Sequence, residues 1–143
     1  MRLSGRRVLA VLRKSGYKMT RQRRAVIRVL TSSSDYLTPS AVYEKVREEH
    51  PDVGLVTVYR TLEILHRLGL ICELHAGDNS RGYTIGTPVH HHHLICNKCH
   101  QVVAFARCGL EEVQRGLAEE TGFRIDDHRL EFTGLCPACQ AES

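Results

Sequence analysis

The sequence predicts an α+β fold in two parts: four helices closed by a β-hairpin, then a smaller α/β part rich in histidine and cysteine. Three observations carry that prediction. Apolar residues recur at helical spacing in four stretches up to Gly69 and give way afterwards to short alternating runs. Capping residues, prolines and glycines sit where those stretches begin and end. Finally, Val89 to Cys99 reads VHHHHLICNKC, four consecutive histidines beside a Cys-x-x-Cys, and a second such pair, Cys136 and Cys139, lies near the end.

The elements follow in order. Leu3, Val8, Leu9, Val11 and Leu12 give the first helix its apolar face, and Gly16 closes it. Thr20 caps a second helix that carries Val26, Ile27, Val29 and Leu30 up to the polar run SSSD. Thr38-Pro39 opens a third, with Ala41, Val42 and Val46 facing inward. The fourth, LVTVYRTLEILHRLG, buries Leu55, Val58, Leu62, Leu65 and Leu68. Leu70 to Leu74 and Tyr83 to Ile85, joined by AGDNSRG, read as a hairpin. Helices followed by a hairpin make a winged helix-turn-helix domain, taken as residues 1–86. In the second part, 87–143, QVVAF reads as a strand, LEEVQRGLAEETG as a helix and RIDDHRLEFTG as another strand.

Charge divides at the same place. Through His75 there are 14 Lys or Arg against 7 Asp or Glu, a net +7; from Ala76 onward 6 stand against 9, a net −3. The basic half is suited to a polyanion. With a turn joining helices three and four, the fourth can enter a DNA major groove. Thr57, Tyr59, Arg60 and Glu63 lie off its buried stripe; Arg60 suits bidentate bonding to guanine and the Tyr59 ring suits a thymine methyl. Without the basic surroundings, Tyr59 and Arg60 read equally well as a packed and solvated helix face. No long apolar stretch is present, so neither a membrane span nor a signal peptide is expected, and the chain reads as cytoplasmic.

In a reducing compartment, paired Cys-x-x-Cys motifs favour metal over disulfides. Cys96, Cys99, Cys136 and Cys139 supply the four thiolates of a closed structural zinc site, which would substitute for core in a part of about sixty residues. The histidine run lies mid-chain beside its own Cys-x-x-Cys, so it is native rather than a purification tag. In an extended strand His90 and His92 face one way and His91 and His93 the other, so one run can feed two sites. The alternative is a solvated polar strand.

From GYKMTRQR through TVYRTLEILHRLGLI and HHHHLICNKC to GLCPAC, the chain resembles the ferric uptake regulator (Fur) family of metal-sensing bacterial repressors, with its zinc, peroxide, manganese and nickel branches. The resemblance implies an N-terminal winged helix and a C-terminal α/β dimerisation domain. It also implies a homodimer on a pseudo-palindromic double-stranded DNA operator. By the same resemblance Tyr59 and Arg60 match the base-reading pair, Lys18 a basic residue that reaches the minor groove, and the four paired cysteines the structural zinc ligands. Arg21 belongs to the phosphate-neutralising basic cluster. A dimerisation-domain site of histidine and carboxylate is filled by His90, His92, Glu111 and His128.

The family's main sensor lies at the hinge between domains, and here the sequence departs from the iron and peroxide pattern. His91 and His93 are present, but Tyr36 stands where iron sensors usually place His, Thr84 where they place a wing carboxylate, and Ala104 where Glu is often found. Cys72, Glu73 and His75 are the candidates to complete it. Alternation sends Cys72 away from Glu73 and puts His75 on the side of Glu73. Cys72 follows Gly-Leu-Ile, where zinc-sensing relatives carry Asp or His. A thiolate with two imidazoles selects zinc over iron, so the regulatory divalent metal is expected to be zinc, with iron or manganese as alternatives. Cys72 also reads as a small buried apolar residue. Cys108, at a helix start, reads as inert or capping. The expected function is a metal-responsive repressor of metal-uptake genes. A zinc hydrolase is the distant alternative, and no H-E-x-x-H or comparable unit supports it.

Overall fold

The computed structural model describes residues 3–33, 35–75, 80–86 and 90–142. Four helices come first: α1 (Gly5–Lys14), α2 (Arg21–Ser32), α3 (Pro39–Glu49) and α4 (Leu55–Arg67). Local chemistry sets their starts. The Ser4, Thr20 and Thr38 hydroxyls accept from the N–H groups of Arg7, Arg23 and Ala41, satisfying donors that a first helical turn leaves open. Their inner faces converge on one core containing Val8, Leu12, Val26, Ile27, Leu30, Val42, Val46, Val58, Leu62 and Leu65. Each such side chain contributes about 1.5–3 kcal/mol by leaving water.

Two details of the expected faces differ. Leu3 precedes α1 yet is buried, while Val11 within it faces solvent. Leu55, in the first turn of α4, is 42% exposed, and Leu68, just past its last turn, is half-buried against the core. Thr61 takes an inner position instead, its hydroxyl satisfied by the Thr57 carbonyl at 2.8 Å.

Strands β1 (Ile71–His75) and β2 (Arg81–Ile85) form the antiparallel hairpin, with Ile71 opposite Ile85 and Cys72 opposite Thr84. Most of the expected connecting loop lies outside the described residues. A three-stranded sheet follows, ordered β4 (Val102–Phe105), β3 (His92–Cys96), β5 (Glu131–Gly134); β3 runs antiparallel to β4 and parallel to β5. Helix α5 (Glu111–Thr121) ends at Gly122, and a short α6 (Pro137–Ala141), not anticipated, carries Cys139. The strand expected over RIDDHRLEFTG is confined to its last part, since residues 124–130 make no ladder.

The segment 35–37 stitches the two parts together. Leu37 exchanges both backbone hydrogen bonds with Tyr83 on β2, and the Tyr36 N–H donates to the His100 carbonyl after β3. Tyr36, Leu74 and Ile95 form a second small core across this joint. Among the described residues no helix is long and apolar enough to cross a membrane.

Candidate metal centres and nucleic-acid face

Among the described residues three groups of donor atoms come together, each with every pair of donors within 4.8 Å. The first is Cys96, Cys99, Cys136 and Cys139. The last residue of β3 and the turn after it carry one pair, and the start of α6, beside the end of β5, carries the other; the parallel β3–β5 ladder holds them side by side. Cys99 and Cys136 sulfurs lie 3.7 Å apart. Two thiolates on a tetrahedral zinc would be separated by about 3.8 Å, given Zn–S bonds near 2.3 Å. Backbone hydrogen bonds from Cys99 and Cys136 hold the Cys96 thiol down to about 6, whereas the neighbouring Cys136 thiol and burial push Cys139 up to about 12. One thiolate forms readily, but four in this space need a cation, which deprotonates coordinating thiols outright.

The second group is Cys72, His91 and His93. Cys72 comes from β1 of the hairpin and the histidines from the approach to and the body of β3, so the group spans the joint. The Cys72 sulfur is 3.4 Å from His91 Nε2, and the His91 and His93 rings meet edge to face at 4.6 Å. Gly86 makes the space: a Cβ there would stand 2.8 Å from the Cys72 sulfur. Burial pushes the Cys72 thiol up. Burial, with His91 and His92 nearby, pushes His93 down to about 4, keeping it the neutral imidazole that binds metal. A zinc-bound thiolate and imidazole would be about 3.5 Å apart, so the residues present fit such an ion.

Glu73 and His75 do not join this group. Glu73 is held by Arg81 at 2.6 Å, with His66 at 3.8 Å. His75 is exposed, and its backbone N–H donates to the Glu131 carboxylate.

The third group is His90, His92 and His128 with Cys108. The Nε2 atoms of His92 and His128 are 3.4 Å apart, and Cys108 Sγ is 3.2 Å from His128 Nε2. Burial, then His90 and His128, lowers the pKa of His92. Here the expected donor set changes. Glu111 is exposed at the first position of α5, outside the group of donors, and the preceding loop brings Cys108 in instead. Helix-start carboxylates are favoured by the helix dipole without any metal. Sequence reasoning missed Cys108 because it has no partner at a metal-ligand spacing; its one signal was its place between a histidine strand and His128.

The alternation expected of the histidines holds in side-chain grouping, although His90 and His91 precede β3 rather than lie in it.

On the basic half, Tyr59 is 52% exposed, Arg60 is exposed and Thr57 half-buried on the outer side of α4. Val56 extends the same apolar-and-basic face. Lys18 is exposed just ahead of α2, where its carbonyl accepts from Arg23; Arg21 is exposed with its guanidinium 3.5 Å from His50 Nδ1.

Known proteins share this architecture. The sequence profile of the Ferric uptake regulator family matches residues 14–133. A ferric uptake regulation protein of Bacillus subtilis is 39% identical over 140 residues, covering 95% of this chain and 94% of its own. A peroxide-responsive repressor PerR of Staphylococcus epidermidis is 34% identical over 94% of this chain and 89% of its own. The Helicobacter pylori ferric uptake regulator Fur, described as having three functional metal binding sites, superposes with a TM-score of 0.70 at 26% identity, covering 98% of this chain and 97% of that one. A zinc uptake regulator complexed with zinc and DNA superposes with a TM-score of 0.76 over 96% of this chain and 93% of that one; at 24% identity this is a likeness of fold. With the profile running from the end of α1 into β5, and a relative sharing more than a third of its residues over nearly the whole length, the chain belongs to the Ferric uptake regulator family of metal-responsive transcriptional regulators.

Proposed function

We propose that this chain is a zinc-responsive repressor that binds a pseudo-palindromic operator as a homodimer in the cytoplasm and controls metal-uptake genes. The observation that carries the metal is the Cys72 thiol 3.4 Å from His91, with His93, across the joint between the hairpin and the sheet. An ion held there would supply positive charge linking a thiolate and two imidazoles, a soft set that favours zinc over iron and manganese. A proton must leave the buried Cys72 thiol for it to bind, so binding is tighter at higher pH.

Tying β1 to β3 fixes the winged half relative to the sheet and so the spacing of two α4 helices in a dimer. This is a shift between pre-existing arrangements. A coupling of about 2–3 kcal/mol tightens operator binding roughly 30- to 150-fold. The four-cysteine site would hold a structural zinc independent of this switch.

Support for the homodimer comes from the sheet. Val103, Leu94 and Phe132 are cross-strand neighbours over β4, β3 and β5, and all three are about half exposed. Helix α5 buries none of its residues and exposes Val113 and Leu117 on successive turns. A second copy would cover both.

An iron- or manganese-sensing role is the second reading, favoured by similarity to the ferric uptake regulation protein and PerR relatives. Operator affinity measured against buffered free Zn(II), Mn(II) and Fe(II) separates the two. Zinc should activate the wild type at the lowest free concentration, and Cys72→Ser should lose that response while remaining dimeric. Activation by manganese or iron first, with Cys72→Ser unaltered, would transfer the assignment to the second reading.

A further inference from the structure

We infer that Cys108, and not Glu111, supplies the fourth donor of the site formed by His90, His92 and His128, making it a closed three-imidazole, one-thiolate centre for zinc. The inference rests on reading these three histidines as a metal site of the dimerisation domain.

Geometry gives the first argument. The Cys108 sulfur and the nitrogens of all three histidines share a space in which no pair of donors exceeds 4.8 Å. The His92–His128 nitrogen separation of 3.4 Å matches the roughly 3.3–3.4 Å expected of two imidazoles on tetrahedral zinc; the Cys108–His128 separation of 3.2 Å is slightly tighter than the roughly 3.5 Å expected of a thiolate and an imidazole. Three separate pieces of chain converge to make the group: the segment entering β3, the loop between β4 and α5, and the segment entering β5. His92, at 2% exposure, is buried among them. A thiol in such a place by chance would need no further histidines around it.

The second argument is what the carboxylate does instead. Glu111 and Glu112 occupy the first turn of α5, where the helix N-terminus attracts negative charge, and both are exposed. Glu111 therefore has a local reason to be acidic that involves no metal.

The chemistry then differs from a histidine and carboxylate centre. Oxygen donors serve manganese and iron; exchanging the oxygen for sulfur tilts the set towards zinc and other soft ions. With Cys72 at the joint and Cys108 here, both groups found outside the four-cysteine site among the described residues contain one cysteine sulfur among imidazoles. The two centres thereby reject the same oxygen-preferring ions.

The test is alkylation of the native dimer with N-ethylmaleimide, read by peptide mass spectrometry at Cys108, with and without saturating Zn(II), together with bound zinc per chain. We expect zinc to protect Cys108, with protection lost in His128→Ala and retained in Glu111→Gln. Cys108→Ser should weaken zinc at this site about tenfold or more while changing Mn(II) affinity much less. Cobalt substitution in a Cys72→Ser background, with the four-cysteine site left as zinc, should show a thiolate-to-cobalt charge-transfer band that Cys108→Ser removes. If His128→Ala loses one zinc but Cys108 alkylates equally with and without metal, and Glu111→Gln loses the zinc instead, Cys108 is not the ligand although the site exists. If His128→Ala loses no zinc, the site itself is absent and the inference falls with it.

Discussion

Gly82 on β2 is buried because the Tyr36 ring occupies the place of its side chain: a Cβ there would stand 2.0 Å from the ring. The ring is 4% exposed, its hydroxyl pairs with Ser80 at 3.0 Å, and its edge meets the His100 ring at 4.7 Å. At the position where the family resemblance implies a histidine, this chain has a wedge between the hairpin and the turn that bears Cys99. Adding one methyl group to a filled core typically costs about 1–3 kcal/mol. Gly82→Ala should therefore lower the unfolding free energy by that much and with it the urea midpoint, and adding Tyr36→Leu should recover part of it. Equal midpoints for Gly82→Ala and the wild type would show that the ring is free to move aside. The sequence exposed the missing histidine at position 36 but not the wedge, because nothing local links Tyr36 to a glycine on a distant strand. The same holds for Cys108, brought to His128 by the path of a loop rather than by any spacing along the chain.

The elements divide in legibility by how local their causes are. Ser4, Thr20 and Thr38 cap helices through contacts three residues away, so the starts of α1 to α3 could be read in advance. The extent of β5 could not, since its four residues are defined by parallel pairing with β3. Strand β3 is the intermediate case: its alternation was legible, and the strand and its approach distribute the four histidines between two groups. That distribution has a consequence for function. His91→Ala and His93→Ala should abolish zinc-activated operator binding, a loss of roughly 30- to 150-fold, with the dimer intact by sedimentation. His90→Ala and His92→Ala should instead weaken the dimer or its metal affinity, with operator binding restored at higher zinc. Odd and even variants that behave alike in both measurements would overturn the division.

At the scale of the whole molecule, charge is divided between the two halves. The half through His75 carries +7 and presents Lys18, Arg21 and the outer face of α4. The half from Ala76 carries −3 and presents the apolar row Val103, Leu94 and Phe132. The apolar row suits that half to meeting its own copy despite its like charge, and the basic half suits phosphate; the proposed dimer would then put two α4 helices on one duplex. On the proposed function, Arg60 and Arg21 would have different tasks. Arg60 lies on the exposed face of the helix one position from Tyr59, where its planar fork can bond two acceptors of one guanine. Arg21 opens α2 with its guanidinium 3.5 Å from His50 Nδ1, and is assigned charge alone. Arg60→Ala should cost about 1–3 kcal/mol on the operator and narrow the gap between operator and random DNA. Arg21→Ala should weaken both DNAs alike and reduce the slope of log affinity against log salt by about one. Anisotropy titrations across a salt series, with both DNAs and saturating zinc, read the two effects separately. An unchanged operator-to-random ratio in Arg60→Ala would mean that α4 does not enter the groove with this face, whatever the fate of the phosphate contacts.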